Sequence, residues 1–337
     1  VMAKFLSCMT FSVCVIPSTD SRSTTQICGH RPLTPHKRLL PTSRVAVSLT
    51  KITRSTKPVQ ILRSPQELSV AVDQLRTHGQ TIAMVPTMGA LHAGHLSLFV
   101  VARQKADIVI ATIFVNPLQF NNPDDFAKYP LQLDLDIAVL KEQGVDVLYA
   151  PSAESMYGQD FSTSVHIDGI TEVLEGRSRP GHFSGVATVV TKLLSAGRPN
   201  VAVFGQKDFQ QCAVIKRLVA DLDMPIEIVI APTVREKDGL AMSSRNVRLS
   251  TSARREAAAI SQGMLAAQAL FTSGIRESER LIKAVESVIA KTSAEIDYVK
   301  LVDAKTLQDS PIASEGCVIV VAVVFDDVRL IDNHVLV

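Results

Sequence analysis

The sequence predicts an α/β protein: a Rossmann-like parallel sheet with helices on both faces, followed by a smaller C-terminal α+β domain. Three observations carry this prediction. Short, β-branched apolar runs alternate with segments of helical period from residue 64 to about residue 230. A segment rich in glycine and histidine stands directly after the first such run, where a parallel sheet opens its ligand crevice. Beyond about residue 234 the rhythm changes to two consecutive helices and then three strand-like runs.

The elements follow in order. Ser64-Pro65-Gln66-Glu67 is a capping box with proline at the first helical position. Leu68, Val72 and Leu75 then share one helical face, and Gly79 stops the helix. A short buried strand over 81–85, a helix over 91–105 and a strand over 108–115 make a βαβ unit. A helix over 134–143, stopped by Gly144, leads to a strand over 145–149. Helices over 186–194 and 209–222 alternate with strands over 201–204 and 226–230. In the C-terminal part, helices are expected over 253–271 and 277–290, and strands over 296–302, 318–325 and 327–331. The chain thus divides into an extension (1–57), a Rossmann-like domain (58–234) and an α+β domain (235–337).

Composition narrows the function classes. The 337 residues are 46% hydrophobic and 20% charged, enough apolar material for sizeable cores. A net charge of +2 creates no field that selects nucleic acid or membrane. Tryptophan is absent and aromatic residues are few, which argues against a stacking platform for single strands. Of five cysteines, Cys8, Cys14 and Cys28 fall in the extension and Cys212 and Cys317 stand alone, so neither a disulfide framework nor structural zinc is expected. No apolar run approaches the ~18 residues of a membrane span.

Residues 1–57 hold many Ser, Thr, Arg and Lys and a single acid, Asp20. That bias fits a transit peptide. It fits equally a disordered extension, or upstream sequence outside the natural coding frame. Lys4 followed by the apolar stretch 5–16 adds a weak secretory look. A cytoplasmic location is expected, with an organelle (mitochondrial) as the alternative if 1–57 is a transit peptide.

Five segments carry chemistry. Residues 86–95 read PTMGALHAGH and run into a helix N-terminus, where free N–H groups and the helix dipole attract phosphate. His92 and His95 are three apart and share a helical face, and Gly94 between them allows close approach to the backbone. A metal site, a helix cap or plain polar surface also fits a histidine pair. Residues 114–120 (FVNPLQF) place the amides of Asn116 and Gln119 at the end of the second strand, suited to a hydroxyl-bearing substrate. An Asn-Pro turn explains Asn116 as well. Residues 179–185 (RPGHFSG) read as a shaped polar loop with Arg179 and His182, or as a plain loop before a helix. Residues 204–211 (FGQKDFQQ) offer Gly205, Lys207 for phosphate, Asp208 for ribose hydroxyls and Gln211 one turn on; Asp208 also fits an N-cap. Residues 237–246 (KDGLAMSSRN) put Ser243, Ser244 and Arg245 on a joint that closes over a triphosphate, or that is an ordinary linker.

In this order the five segments resemble the pantoate–β-alanine ligase family, a member of the HxGH nucleotidyltransferases, over about residues 58–337. The resemblance implies an ATP-dependent condensation of pantoate with β-alanine through a pantoyl adenylate, releasing AMP and pyrophosphate, with Mg2+ and a homodimer formed through the N-terminal domain. It implies ATP contacts at Met88, Gly89, Gly94, Gly205 and Asp208. His92, His95, Lys207, Ser243, Ser244 and Arg245 would act on the phosphates. Asn116, Gln119, Arg179, His182 and Gln211 would hold pantoate and β-alanine, and Asp136 matches an acid tied to Mg2+. The chain departs from the family at Leu131, where Arg is usual, at Gln206, where a charged residue is frequent, and at Leu135, where an acid is common, the last of which bears on the Mg2+ contact at Asp136. The alternatives are another HxGH nucleotidyltransferase, against which the FVNPLQF and KDFQQ segments speak, and a non-catalytic nucleotide-binding relative.

Overall fold

The computed structural model describes residues 58–121, 126–127 and 129–337. The reading of 1–57 as an extension lies outside them.

Six parallel strands form the first sheet: β1 (Gln60–Leu62), β2 (Ile82–Thr87), β3 (Ile108–Ile113), β4 (Val147–Tyr149), β5 (Val201–Gly205) and β6 (Glu227–Ala231). Their spatial order is β1-β4-β3-β2-β5-β6. The chain therefore builds outward from β2 in one direction, then returns to build outward through β5 in the other. The switch lies between β2 and β5, which pair at Ala83↔Val201 and Met84↔Ala202. Pro86, which has no N–H to give a ladder, sits just past the last of these pairs. Beyond Met84 the two strands are no longer paired, and the crevice opens there.

Alternation along β2 divides the core. Ile82 and Met84 join one apolar cluster, with Leu68 and Val72 of α1 (Pro65–Thr77) and with the long helix His182–Gly197. Ala83 and Val85 join the other, with Leu98, Phe99 and Ala102 of α2 (Ala93–Lys105) and Leu140 of α3 (Leu133–Glu142). Each of these four β2 residues is fully buried, as expected of a parallel strand covered on both faces. Burying each larger side chain contributes on the order of 1.5–3 kcal/mol.

The C-terminal part is a three-stranded antiparallel sheet, β7 (Glu295–Val302), β8 (Val318–Phe325) and β9 (Val328–Val335), with helices Ala259–Thr272 and Ser278–Ile289. Leu281, Val285 and Ile289 recur every fourth residue and are fully buried. Strand β8 is shared. Ile319, Val321 and Val323 pack with these helices, whereas Val318 and Val320 join the parallel-sheet cluster that holds Ile82 and Met84.

Several expected bounds shift. The helix expected over 186–194 begins a turn earlier at His182, because Gly181, in the left-handed region at φ 81°, turns the chain into it. The helix expected over 253–271 is two, Thr251–Glu256 and Ala259–Thr272, with a tighter turn at Ala257-Ala258 where the Ile260 N–H bonds back to Ala257. The edge strand Gln60–Leu62 and the short helices Ala153–Met156 and Glu175–Ser178 add to the expected set; each is four residues or fewer, too short for a period to show.

Candidate active site

The site is built at the switch point. The loop after β2 reverses direction through two left-handed residues, Gly89 (φ 85°) and Ala90 (φ 51°). Their conformation turns the N–H groups of Ala90 and Leu91 toward Asp136 of α3, whose two carboxylate oxygens accept them, each at 2.9 Å. A Cβ at Gly89 would lie 2.9 Å from the same carboxylate. Asp136 is 1% exposed and lies in the first turn of its helix. Its carboxylate is thus engaged in holding the loop.

His92 is the N-cap of α2. Its Nδ1 accepts the Gly94 N–H at 3.2 Å, and the Nδ1 of His95 accepts the His92 N–H at 3.3 Å. The two rings lie 4.1 Å apart, centroid to centroid. The cap reading of the histidine pair is thus met by both rings. With each Nδ1 accepting, the proton of each neutral ring sits on Nε2 as a donor. Burial, and then the Lys207 charge, lower the His92 pKa to about 4; burial, and then His92, lower that of His95 to about 3. Both rings are neutral near pH 7. At Gly94 a Cβ would meet the His92 ring at 2.9 Å, so the glycine leaves room for the cap as well as for a ligand.

The loop after β5 faces these histidines. Lys207 Nζ lies 3.5 Å from the Asp208 carboxylate. Crowding around Asp208 acts upward on its carboxyl, but the charges of Lys207 and then Arg245 override it and hold it below the usual range. Asp208 stands at the N-cap of helix Phe209–Asp221 without a side-chain cap bond, so capping does not occupy it. Gly205 ends β5, and a Cβ there would meet only Leu98 at 3.9 Å, so sterics do not demand glycine.

The FVNPLQF segment makes a 3-10 turn, Pro117–Gln119, against the long helix. Gly185 lets them touch: a Cβ there would fall 2.2 Å from the Leu118 carbonyl oxygen. Asn116, 1% exposed, donates to Gln119 Oε1 (3.2 Å) and the Gly185 carbonyl (3.0 Å) and accepts from Leu118 N and Tyr157 OH. Its amide is used within the protein, so the residue frames the site. Gln119 donates to the Met88 sulfur at 2.8 Å, which joins the two loops. The Gln119 carbonyl accepts from His182 Nδ1 (2.8 Å) and Arg179 Nη2 (3.1 Å), while His182 Nε2 faces Arg179 Nη1 at 3.2 Å. Burial and the Arg179 charge lower the His182 pKa to about 4.

Ser243 caps a 3-10 turn, Ser244–Arg248, its Oγ accepting the Arg245 N–H at 3.2 Å. Met242 Cβ is 3.7 Å from the position a Gly94 Cβ would take, so this segment lies against the histidine loop. Tyr129, a residue that sequence reasoning does not assign to the site, lies beside Ser244 and Arg245, and burial raises its pKa. Arg179, Lys207, Asp208, Ser243, Arg245 and Arg248 line one cleft of about 470 Å³. His182, Gln211 and Lys207 line an adjoining cavity of about 50 Å³. A cleft of that size with converging cations suits a small, polyanionic ligand.

A family model described as pantoate-beta-alanine ligase matches residues 60–335. The chain belongs to the pantoate-beta-alanine ligase family. It is 47% identical over 262 residues to the pantothenate synthetase of Syntrophotalea carbinolica, covering 77% of this chain and 93% of that protein. Identity to the pantothenate synthetase of Carboxydothermus hydrogenoformans is 49% over 271 residues, 80% of this chain and 96% of the relative. Among solved structures, the pantothenate synthetase of Thermus thermophilus superposes with a TM-score of 0.79 at 41% identity, covering 82% of this chain and 99% of that one. The Francisella tularensis pantoate-beta-alanine ligase, complexed with beta-gamma ATP and beta-alanine, gives a TM-score of 0.68 at 36% identity over 82% of this chain and 97% of its own.

Proposed function

We propose that this cleft condenses pantoate with β-alanine in two steps, and that His92, His95 and Lys207 around the switch point carry the first of them. The pantoate carboxylate oxygen attacks the α-phosphorus of ATP, the bond to the β-phosphate oxygen breaks, and pyrophosphate leaves. The β-alanine amine then attacks the acyl carbon, AMP leaves with the electron pair, and pantothenate is released with loss of one proton from nitrogen. A free carboxylate is a poor acyl donor, and adenylation supplies the leaving group.

The observation that carries this reading is that Lys207, on the loop after β5, lies close enough to His92 and His95, on the loop after β2, for its charge to act on both rings, whose Nδ1 atoms accept and whose Nε2 atoms are left to donate. Charge grows on the leaving pyrophosphate, and preorganised donors stabilise it as it forms. Lys207 and Arg245 supply full charge, His92 and His95 supply N–H donors, and Ser243 and Ser244 close from the facing segment. The Met88 and Gly89 backbone would meet the nucleotide beside Gly94 and Gly205, and Asp208 its ribose. Gln119 and Gln211 would hold pantoate, with Arg179 and His182 lining the small cavity beside Gln211 and bonding the Gln119 backbone carbonyl, and Asn116 fixing Gln119.

Mg2+ enters as the counter-ion that ATP phosphates carry. Among the described residues, Asp136, the acid that the resemblance ties to the ion, is engaged by two backbone N–H groups. Among the described residues, the group of three ligand-type side chains found together is the exposed His166, Asp168 and Glu172. A homodimer formed through the N-terminal domain and a cytoplasmic location complete the reading. Sedimentation and imaging of a fusion of residues 1–57 test these two points.

The experiment is pyrophosphate exchange into ATP with pantoate present and β-alanine absent. Pantoate-dependent exchange supports the adenylate. Its absence in folded protein with Mg2+ supplied would overturn it.

A further inference from the structure

Strand β9 carries two consecutive buried polar residues, Asp332 and Asn333, 4% and 3% exposed. Asp332 is held by a bidentate pair with Arg235, at 2.6 and 3.0 Å, and accepts the Asn333 N–H at 2.8 Å. Asn333 then reaches across to the loop after β5. Its Nδ2 donates to the carbonyl oxygens of Gln206 and Lys207, each at 2.9 Å, and its Oδ1 lies 3.4 Å from Gln206 Nε2. Two successive peptide carbonyls bound by one rigid amide leave that stretch of backbone little freedom. The Lys207 side chain starts from this clamped backbone.

We propose that Asn333 is a positioning residue: it fixes the backbone at Gln206-Lys207 so that the Lys207 ammonium meets the phosphates during adenylation. The proposal rests on the reading of Lys207 as a phosphate contact. It makes the C-terminal sheet a direct contributor to the geometry of the first half-reaction. A displacement of about 1 Å at such a group is enough to slow a reaction on the order of 10²-fold.

The test is a double-mutant cycle in the full chain, reading kcat and KM of pantoate-dependent pyrophosphate exchange for wild type, Asn333→Ala, Lys207→Ala and the double variant. If Asn333 acts through Lys207, Asn333→Ala lowers kcat on the order of 10²-fold, and the double variant is no slower than Lys207→Ala alone. A merely structural role has no reason to disappear when Lys207 is gone. A double variant that loses the product of the two single effects overturns the proposal and leaves the Lys207 reading standing. Full turnover by Lys207→Ala overturns the Lys207 reading and the proposal with it. Asn333→Asp, which keeps the shape but loses the amide donor, provides a second variant for the same cycle if the alanine protein fails to fold.

Discussion

His92 caps a helix and, in the proposed reaction, meets the phosphates with the same ring. Its Nδ1 starts a helix, and that use fixes the proton at Nε2, where a ligand can meet it. We expect His92→Ala and Lys207→Ala to lower pantoate-dependent exchange ~10²–10³-fold, the usual effect of removing one preorganised donor. Circular dichroism of both should stay native, and His92→Ala should melt lower through loss of a cap worth about 1 kcal/mol. Either variant at full activity would remove that residue from the mechanism. Asp136 provides the contrasting case. Asp136→Asn replaces one of two acceptors for Ala90 N and Leu91 N with a donor. kcat should therefore fall, while the Mg2+ concentration giving half-maximal rate stays put. A large rightward shift of that Mg2+ curve would restore Asp136 as an ion ligand.

At the scale of elements, the site depends on close contact between a turn and a helix. Gly185→Ala would drive a Cβ into the Leu118 carbonyl region, and overpacking of this kind costs about 1–3 kcal/mol. The turn Pro117–Gln119 would move with it, so we expect a raised KM for pantoate beside the lower melting temperature. An unchanged KM would separate that turn from pantoate. The same contact shows what is legible in the sequence. The βαβ alternation, the capping box at Ser64 and the loops after β2 and β5 are all readable, because period and punctuation are local properties. The C-terminal two-helix and three-strand pattern is readable on the same grounds. The helix start at His182 is not, since it depends on Gly181 adopting a left-handed conformation that a loop would equally explain. The inward turn of Asn116 is also hidden, because its partners Gly185 and Tyr157 lie far along the chain. Asp332-Asn333 does leave a signal: two adjacent polar residues directly after the apolar pair Leu330-Ile331. Tyr129 leaves none that spacing alone would reveal.

Across the whole molecule, three neutral histidines, His182 buried and His92 and His95 half-buried, set the acid limit. His92, His95 and His182 have folded pKa values of about 4, 3 and 4 against an ordinary 6.5. The unfolded chain takes up protons near pH 6.5 that the folded one refuses, so stability is level above that pH and falls as pH drops from 6.5 toward 4. The urea midpoint should therefore decline between about pH 7 and about pH 5, before most carboxylates titrate. A flat midpoint over that range would show that the three rings protonate without loss of fold. Strand β8 has a different consequence. Because Val318 and Val320 belong to one core while Ile319, Val321 and Val323 belong to the other, neither core closes without the same eight residues. A gene cut near codon 234 would yield one fragment missing part of its packing and another with a bare row of valines, and co-expression of the two halves would be needed to recover soluble protein.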